Sequence, residues 1–325
     1  MNLGKVLVTH PGIPKIGLEM LRKRCNVILW DKPVPIPHSE LLQKISGVDG
    51  VYCLLTDKID EDVLIAAGPQ LKVVATMSVG VDHLDLPALK KRNIKVGYTP
   101  GILTEATAEL VVALLLATSR RLIEANRAIY KGEWKAWHPT WLCGPGLSGS
   151  TVGIVGLGRV GTKVAQCLKT FGTKKILYTS RSIKEEALVF GGERVEFSKL
   201  LRESDFVVVT TALTSETKFL FNKEAFEQMK KTAIFINASR GEVVDQSALI
   251  NALENCTIRA AGLDVMTPEP IPLDSKLLKM DNCVVLPHIG SAAIETREKM
   301  AVMTAENILA VLNNKPDNMP NPLVI

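Results

Sequence analysis

The sequence predicts an α/β protein built from two doubly wound parallel-sheet units. Three observations carry this. Short apolar, β-branched runs alternate with amphipathic segments through the first hundred residues, and the same alternation restarts at Thr151. The later runs Phe206-Val-Val-Val209 and Ile234-Phe-Ile236 are apolar without a break, as strands covered on both faces must be. A chain of 325 residues is also long enough for about two domains.

Taken in order, residues 6–8, 27–29, 51–55, 73–75 and 96–98 read as strands. Amphipathic segments such as 16–24 and 86–92 lie between them. The pattern changes at Thr99-Pro-Gly-Ile102. A helix then starts near Thr104, a suitable N-cap with Glu105 in the first turn, and runs to about Arg121. Residues 131–150 are irregular and carry Trp134, Trp137 and Trp141 among glycines and prolines. Such a stretch either tucks onto its own domain or reaches a neighbour. Aromatic side chains exposed on a long loop mark interfaces, so a homodimer-forming arm is the expectation adopted. The second strand series is expected at 151–155, 175–179, 206–210, 233–238, 260–265 and 283–286. One long helix over 295–314 follows, stopped by Pro316 and placed to return to the first unit.

The composition narrows the function classes. A hydrophobic fraction of 46% supplies ample core, and the net charge of +5 is scattered in short groups such as Lys90-Lys91-Arg92 and Lys230-Lys231. Nucleic-acid binding calls for a denser basic stripe, so a mild attraction for small anions is the better expectation. The six cysteines are dispersed, with neither a CxxC pair nor a His-rich cluster, so no metal site and a reducing compartment are expected. The run at residues 1–9 is too short for a secretory leader and reads as a first strand. The most apolar stretch, 110–117, falls short of a bilayer span. The expected location is the cytoplasm, with no membrane partner.

Gly156-Leu-Gly-Arg-Val-Gly161 matches G-x-G-x-x-G, follows the strand at 151–155 and opens an amphipathic helix at 163–171. Alone the pattern is weak; in this context it reads as a dinucleotide fingerprint. Gly156 would permit the tight turn, Gly158 the approach of backbone to pyrophosphate, and Gly161 close packing of helix on strand. An NAD site expects an acid about 20 residues further on, at the ribose 2′-hydroxyl. Thr179 stands there instead, 18 residues beyond Gly161, followed by Ser180, Arg181 and Ser182. A guanidinium among hydroxyls clasps a 2′-phosphate that a carboxylate would repel, so NADPH is preferred, with NADH possible.

Three charged residues close successive strand-like runs. Arg240 lies in Asn237-Ala-Ser-Arg-Gly241, Glu269 in Pro268-Glu-Pro270 after Leu263-Asp-Val265, and His288 in Pro287-His-Ile-Gly290. A cation, a carboxylate and an imidazole so placed suit binding an anionic carbonyl compound and protonating it. A lone histidine or arginine is more often structural or solvated, but here three independent frames occur in order. Among the other histidines only His83, near Met77-Ser-Val-Gly-Val-Asp-His83, draws notice.

This ordered set of motifs resembles the D-isomer-specific 2-hydroxyacid dehydrogenase family over essentially the whole chain. Met77-Ser-Val-Gly-Val-Asp-His83, Trp141-Leu-Cys-Gly144 and Tyr178-Thr179 with Arg181 are most similar to its glyoxylate/hydroxypyruvate reductase branch. The resemblance implies a flavodoxin-like substrate domain split into 1–103 and a return helix at 289–325. Between the two parts lies an inserted Rossmann domain, 104–288, that carries the dimerisation loop. It also implies roles. Arg240 would grip the substrate carboxylate, His288 would donate the proton, and Glu269 would pair with His288 and favour its charged form. The backbone at Val79 and Gly80 would meet the carboxylate, and Leu55 and Trp137 would wall the pocket. Arg159 and Val160 would line the pyrophosphate, Ala212, Ala238 and Gly290 the cofactor cleft, and Asp264 would face the nicotinamide.

Two function classes stand. One is NADPH-dependent reduction of a small 2-keto acid, with 2-ketogluconate, phosphoglycerate and D-lactate enzymes as near alternatives. The other is a dinucleotide-sensing corepressor on the same fold. The absence of long polar extensions and the arginine at residue 181 favour the enzyme.

Overall fold

Residues 3–325 are described in a computed structural model; Met1 and Asn2, which begin the expected first strand at residues 1–9, lie outside the described residues. The chain divides into two compact units, Met1–Leu103 with Ala292–Ile325, and Thr104–Ser291.

The first unit opens with strands β1 (Lys5–Val8), β2 (Asn26–Leu29), β3 (Gly50–Cys53), β4 (Val73–Thr76) and β5 (Lys95–Gly97). Helices α1 (Lys15–Arg22), α2 (His38–Lys44), α3 (Glu61–Ala67) and α4 (Leu86–Lys91) connect them. The second unit begins with α5 (Thr104–Ser119) and α6 (Leu122–Tyr130), then β6 (Thr151–Val155), α7 (Arg159–Thr170), β7 (Lys175–Thr179) and β8 (Gly192–Arg194). It continues through α8 (Phe197–Glu203), β9 (Phe206–Val209), α9 (Lys223–Glu227), β10 (Ile234–Asn237), α10 (Gln246–Glu254), β11 (Ala260–Leu263) and β12 (Cys283–Val285). Helix α11 (Ile294–Leu312) and strand β13 (Pro322–Leu323) belong again to the first unit.

In the first unit the sheet order is β2-β1-β3-β4-β5-β13, parallel except for the last strand. Pro322 is tolerated in β13 because an edge strand need not donate on both sides. Alternation along β3 sends Val51 and Cys53 into one core with Trp30, Leu41 and Val63. Tyr52 enters the other, with Met300, Ala305 and Ile308 of α11.

The second unit holds a seven-stranded, all-parallel sheet in the order β8-β7-β6-β9-β10-β11-β12. Both faces are buried. Leu114, Leu115, Val164 and Leu168 of α5 and α7 cover one; Phe221, Phe226, Phe235 and Leu249 fill the other. This two-sided burial explains why its central strands read as unbroken apolar runs.

Both sheets reverse strand order once, at β6/β9 and at β1/β3. Connections leave such a point in opposite directions and open a crevice at the carboxyl ends of the strands. Gly156, Arg240 and His288 follow the carboxyl ends of β6, β10 and β12.

The structure departs from the sequence expectation in detail. The helix beginning at Thr104 does not continue to Arg121 but ends at Ser119. Arg121 takes a left-handed conformation (φ 54°) and its guanidinium pairs with Glu124 at 2.6 and 2.7 Å, starting the separate helix α6. Among the described residues no helix is long and apolar enough to cross a membrane.

Candidate functional site

At the end of β6 the chain turns through Gly156, whose φ of +97° disfavours any side chain. A Cβ at Gly156 would also stand 2.6 Å from Thr211 Cα, in the loop after β9. Thr210 Oγ1 donates to Gly156 O at 2.8 Å and ties the two loops together. A Cβ at Gly161 would come within 2.5 Å of Gly156 O, so this glycine is needed for close packing. Gly158 differs: an added Cβ there meets nothing within 4 Å. Gly158 is the N-cap of α7 and provides no side-chain oxygen for the first-turn N–H groups. The positive end of a twelve-residue helix therefore faces open space at Arg159 and Val160, as an incoming pyrophosphate requires. These residues fit a dinucleotide.

At the end of β7, Thr179 O accepts the N–H groups of Gly156 (3.1 Å) and Leu157 (3.3 Å). Ser180 Oγ donates to Ser182 O, and Arg181 and Ser182 are exposed. Arg194 on β8, which the sequence did not mark, donates to Ser180 O from Nε (3.1 Å) and Nη2 (2.9 Å) and to Arg181 O from Nη2 (3.4 Å). Ala212 is exposed in the loop after β9, and Ala238 follows β10, its N–H on Val209 O.

Arg240, Glu269 and His288 follow the three neighbouring strands β10, β11 and β12. Buried Asn237 shapes the first turn: its amide donates to Arg240 O at 3.0 Å, and its carbonyl accepts the N–H (3.1 Å) and hydroxyl (2.8 Å) of Ser239. Arg240 Nη1 donates to Ser239 O at 2.8 Å. The Glu269 loop is clasped by Gln246, whose amide donates to Thr267 O (2.6 Å) and accepts from Thr267 N (3.0 Å). Glu269 Oε1 then accepts the Met266 N–H at 3.0 Å, leaving Oε2 for His288 Nδ1 at 2.8 Å. Burial resists ionisation of Glu269. The hydrogen bond and charge of His288, the Met266 N–H and the Arg240 charge outweigh it and hold this carboxyl below its ordinary value.

Asp264 is buried, with its carboxylate on the N–H groups of Ile289 and Gly290, both at 2.8 Å. Burial pushes its carboxyl up, against the lowering effect of those donors and of His288. The bend carrying His288, at φ +53°, is thereby held from beneath.

In the first unit, half-buried Leu55 follows β3, and Val79 (39% exposed) and Gly80 follow β4. Trp137 lies in the irregular 131–150 stretch of the second unit and is 82% exposed, with Trp134 59% and Trp141 39% exposed. Thus the cofactor-loop residues and the charged trio gather within one unit, while Leu55, Val79 and Gly80 belong to the other.

Residues 112–290 match the profile of the D-isomer specific 2-hydroxyacid dehydrogenase NAD binding domain. The chain is 51% identical over 326 aligned residues to the glyoxylate reductase/hydroxypyruvate reductase of Homo sapiens, covering 99% of this chain and 98% of that protein. A solved structure from Thermus thermophilus superposes with a TM-score of 0.91 at 43% identity, covering 98% of this chain and 100% of the other. An NADPH-dependent glyoxylate/hydroxypyruvate reductase from Sinorhizobium meliloti, solved with NADP and malonate, superposes with a TM-score of 0.85 at 29% identity, covering 98% and 96%. With the glycine turn and the strand order of the second unit, these likenesses identify an NAD(P)-dependent dehydrogenase/reductase, and the chain belongs to the D-isomer specific 2-hydroxyacid dehydrogenase family.

Proposed function

We propose that the chain reduces small 2-keto acids, glyoxylate to glycolate and hydroxypyruvate to D-glycerate, with NADPH preferred over NADH. One observation carries the reading: His288 Nδ1 lies 2.8 Å from Glu269 Oε2, and Arg240 follows the neighbouring strand β10. An ionised carboxylate only accepts, so Nδ1 must carry a hydrogen and Nε2 is left as the proton-transferring nitrogen.

Bound reduced nicotinamide supplies the hydride to the carbonyl carbon. His288 gives its proton to the carbonyl oxygen as general acid, and Glu269 balances the imidazolium charge until that transfer. Arg240 holds the substrate carboxylate by two parallel hydrogen bonds, aided by the Val79 and Gly80 backbone, with Leu55 and Trp137 as apolar walls. Residues 1–103 and 289–325 serve as the substrate domain and 104–288 as the cofactor domain. Thr179, Ser180, Arg181 and Ser182 clasp the 2′-phosphate; Arg159, Val160, Ala212, Ala238, Asp264 and Gly290 line the rest of the cleft. The substrate class is supported by the names of similar proteins, and the cofactor by the NADP-bound neighbour.

A homodimer formed through residues 131–150 is part of the reading. Its support is the run of exposed apolar side chains from Ile129 (54%) and Tyr130 (84%) to the three tryptophans. Six free thiols support a reducing compartment, the cytoplasm.

The test is a steady-state panel of NADPH and NADH against glyoxylate, hydroxypyruvate, pyruvate and 2-ketogluconate, compared by kcat/KM. The reading expects glyoxylate and hydroxypyruvate with NADPH to lead; a lead for either other acid, or for NADH, overturns it.

A further inference from the structure

We infer that His83, Thr76 and Ser78 form a directional hydrogen-bond relay that fixes the Gly80 carbonyl and so orients the Val79–Val81 backbone toward the keto acid's carboxylate. The inference rests on the proposed role of Val79 and Gly80 in holding that carboxylate.

Strand β4 is apolar until its carboxyl end, where two polar side chains are buried: Thr76 is fully shielded and Ser78 is 4% exposed. Three contacts join them to the loop. His83 Nε2 lies 3.0 Å from Thr76 Oγ1, Thr76 Oγ1 lies 2.8 Å from Ser78 Oγ, and Ser78 Oγ donates to Gly80 O at 2.7 Å. Counting hydrogens sets the direction. A carbonyl only accepts, so the single hydroxyl hydrogen of Ser78 is used on Gly80. Ser78 must then accept from Thr76, which consumes the hydrogen of Thr76. Thr76 in turn must accept from His83, so Nε2 carries a hydrogen. With Ser78 committed to Gly80, a Thr76 that donated to His83 instead would leave Thr76 Oγ1 and Ser78 Oγ 2.8 Å apart with no hydrogen between them.

The consequence falls on two peptide planes. Ser78 O accepts the Thr99 N–H at 2.9 Å, so the trans peptide that follows turns the Val79 N–H the opposite way. Gly80 O is held by Ser78 Oγ, which turns the Val81 N–H away from the relay. One serine thus pins the peptides on both sides of Val79-Gly80, in a loop where Val79 is 39% exposed. His83 is fixed at its own backbone, where its carbonyl accepts the Ile59 N–H at 2.9 Å. The three side chains are positioning residues: they set how donors are presented and do not touch the reacting atoms.

The experiment compares Ser78→Ala, Thr76→Val, His83→Gln and His83→Phe in the full-length enzyme. KM and kcat are measured for glyoxylate, Kd for NADPH by fluorescence titration, and folding by thermal melts. Losing one hydrogen bond of this kind predicts that Ser78→Ala and Thr76→Val raise KM about five- to tenfold. In both, kcat should stay within about threefold and the NADPH Kd should be unchanged. His83→Gln keeps a donor and should approach the parent KM; His83→Phe should resemble Ser78→Ala. A folded Ser78→Ala with unchanged KM, or with KM and NADPH Kd rising together, overturns the relay. Should Thr76→Val fail to fold, Ser78→Ala decides alone, since it removes one oxygen and no carbon.

A separate readout tests the underlying role. In enzyme labelled with 15N-valine and 15N-glycine and loaded with NADPH, the Val79 and Gly80 amide resonances should shift on adding oxamate. Shifts in the parent with no KM change in Ser78→Ala sink the relay and leave the loop's role standing. No shift at either amide removes the loop's role, and the relay with it.

Discussion

Asp264 Oδ2 accepts the backbone N–H of Gly290 at 2.8 Å, and the same aspartate takes the two preceding N–H groups as well: Ile289 on Oδ1 at 2.8 Å and His288 on its carbonyl at 2.9 Å. Three consecutive donors after β12 thus end on one residue after β11. The first of the three residues is demanding, because His288 adopts φ +53°, which a residue bearing a side chain seldom does. In Asp264→Asn one oxygen becomes an NH2 group facing a backbone N–H. A loss of about 1–3 kcal/mol in urea unfolding is expected. Turnover should fall at least about tenfold, because the imidazole loses its support. A variant as stable and as fast as the parent would contradict this role.

Glu269 gives a pH signature with a definite sign. Its carboxyl is held below its ordinary value of 4.5 in the folded protein, so the folded state binds that proton less readily than the unfolded chain. The stability it contributes is therefore complete above the unfolded value and is lost as pH falls through the folded one. Glu269→Gln should be less stable than the parent near neutral pH, and the gap should close in acid. Chemical denaturation of both proteins across that range measures it; a gap that widens in acid would refute the assignment. His288→Ala should fold normally and lower turnover by roughly 10²–10⁴-fold.

The glycine turn separates binding from packing. Gly158 has φ −90° and open space beyond it, so Gly158→Ala should shift the unfolding free energy by less than about 1 kcal/mol. The same methyl enters the space proposed for the pyrophosphate and should raise the dinucleotide Kd at least about tenfold. Gly161→Ala places its carbon 2.5 Å from Gly156 O, and overpacking of that kind destabilises by about 1–3 kcal/mol. Thermal melts with and without cofactor distinguish the two. Equal destabilisation by both substitutions would remove the distinction.

These contrasts show which parts of the fold were legible in the chain. Strands β6 and β7 span 151–155 and 175–179 as expected, because their interior positions are buried and apolar enough to mark them. The frames of Arg240 and His288 were legible because each closes an apolar run, and that of Glu269 because two prolines flank it just after one. The grip of Asp264 on Gly290 was not, since it joins backbone 26 residues away and backbone N–H groups leave no mark on sequence. Strand β8, Gly-Glu-Arg, was hidden because an edge strand with exposed residues needs no apolar run. The break before α6 was hidden because Arg121 takes the left-handed conformation where glycine or asparagine would have announced it.

Arg194, carried by that hidden strand, refines the cofactor prediction. Its guanidinium is engaged with the carbonyls of Ser180 and Arg181, while the neighbouring Arg181 side chain is exposed at the loop. The two arginines therefore should fail differently. Arg181→Ala removes the group proposed to pair with the 2′-phosphate and should weaken NADPH about 10–100-fold, with NADH changed less than about twofold. Arg194→Ala leaves that charge in place but frees the loop that carries it. A smaller loss is expected, about three- to fivefold, again confined to NADPH because only the 2′-phosphate depends on the loop's position. Titrating both variants with both cofactors tests the scheme. An Arg181→Ala effect of equal size on NADPH and NADH would exclude 2′-phosphate recognition at this loop, whereas an inert Arg194→Ala would exclude only the supporting role of β8.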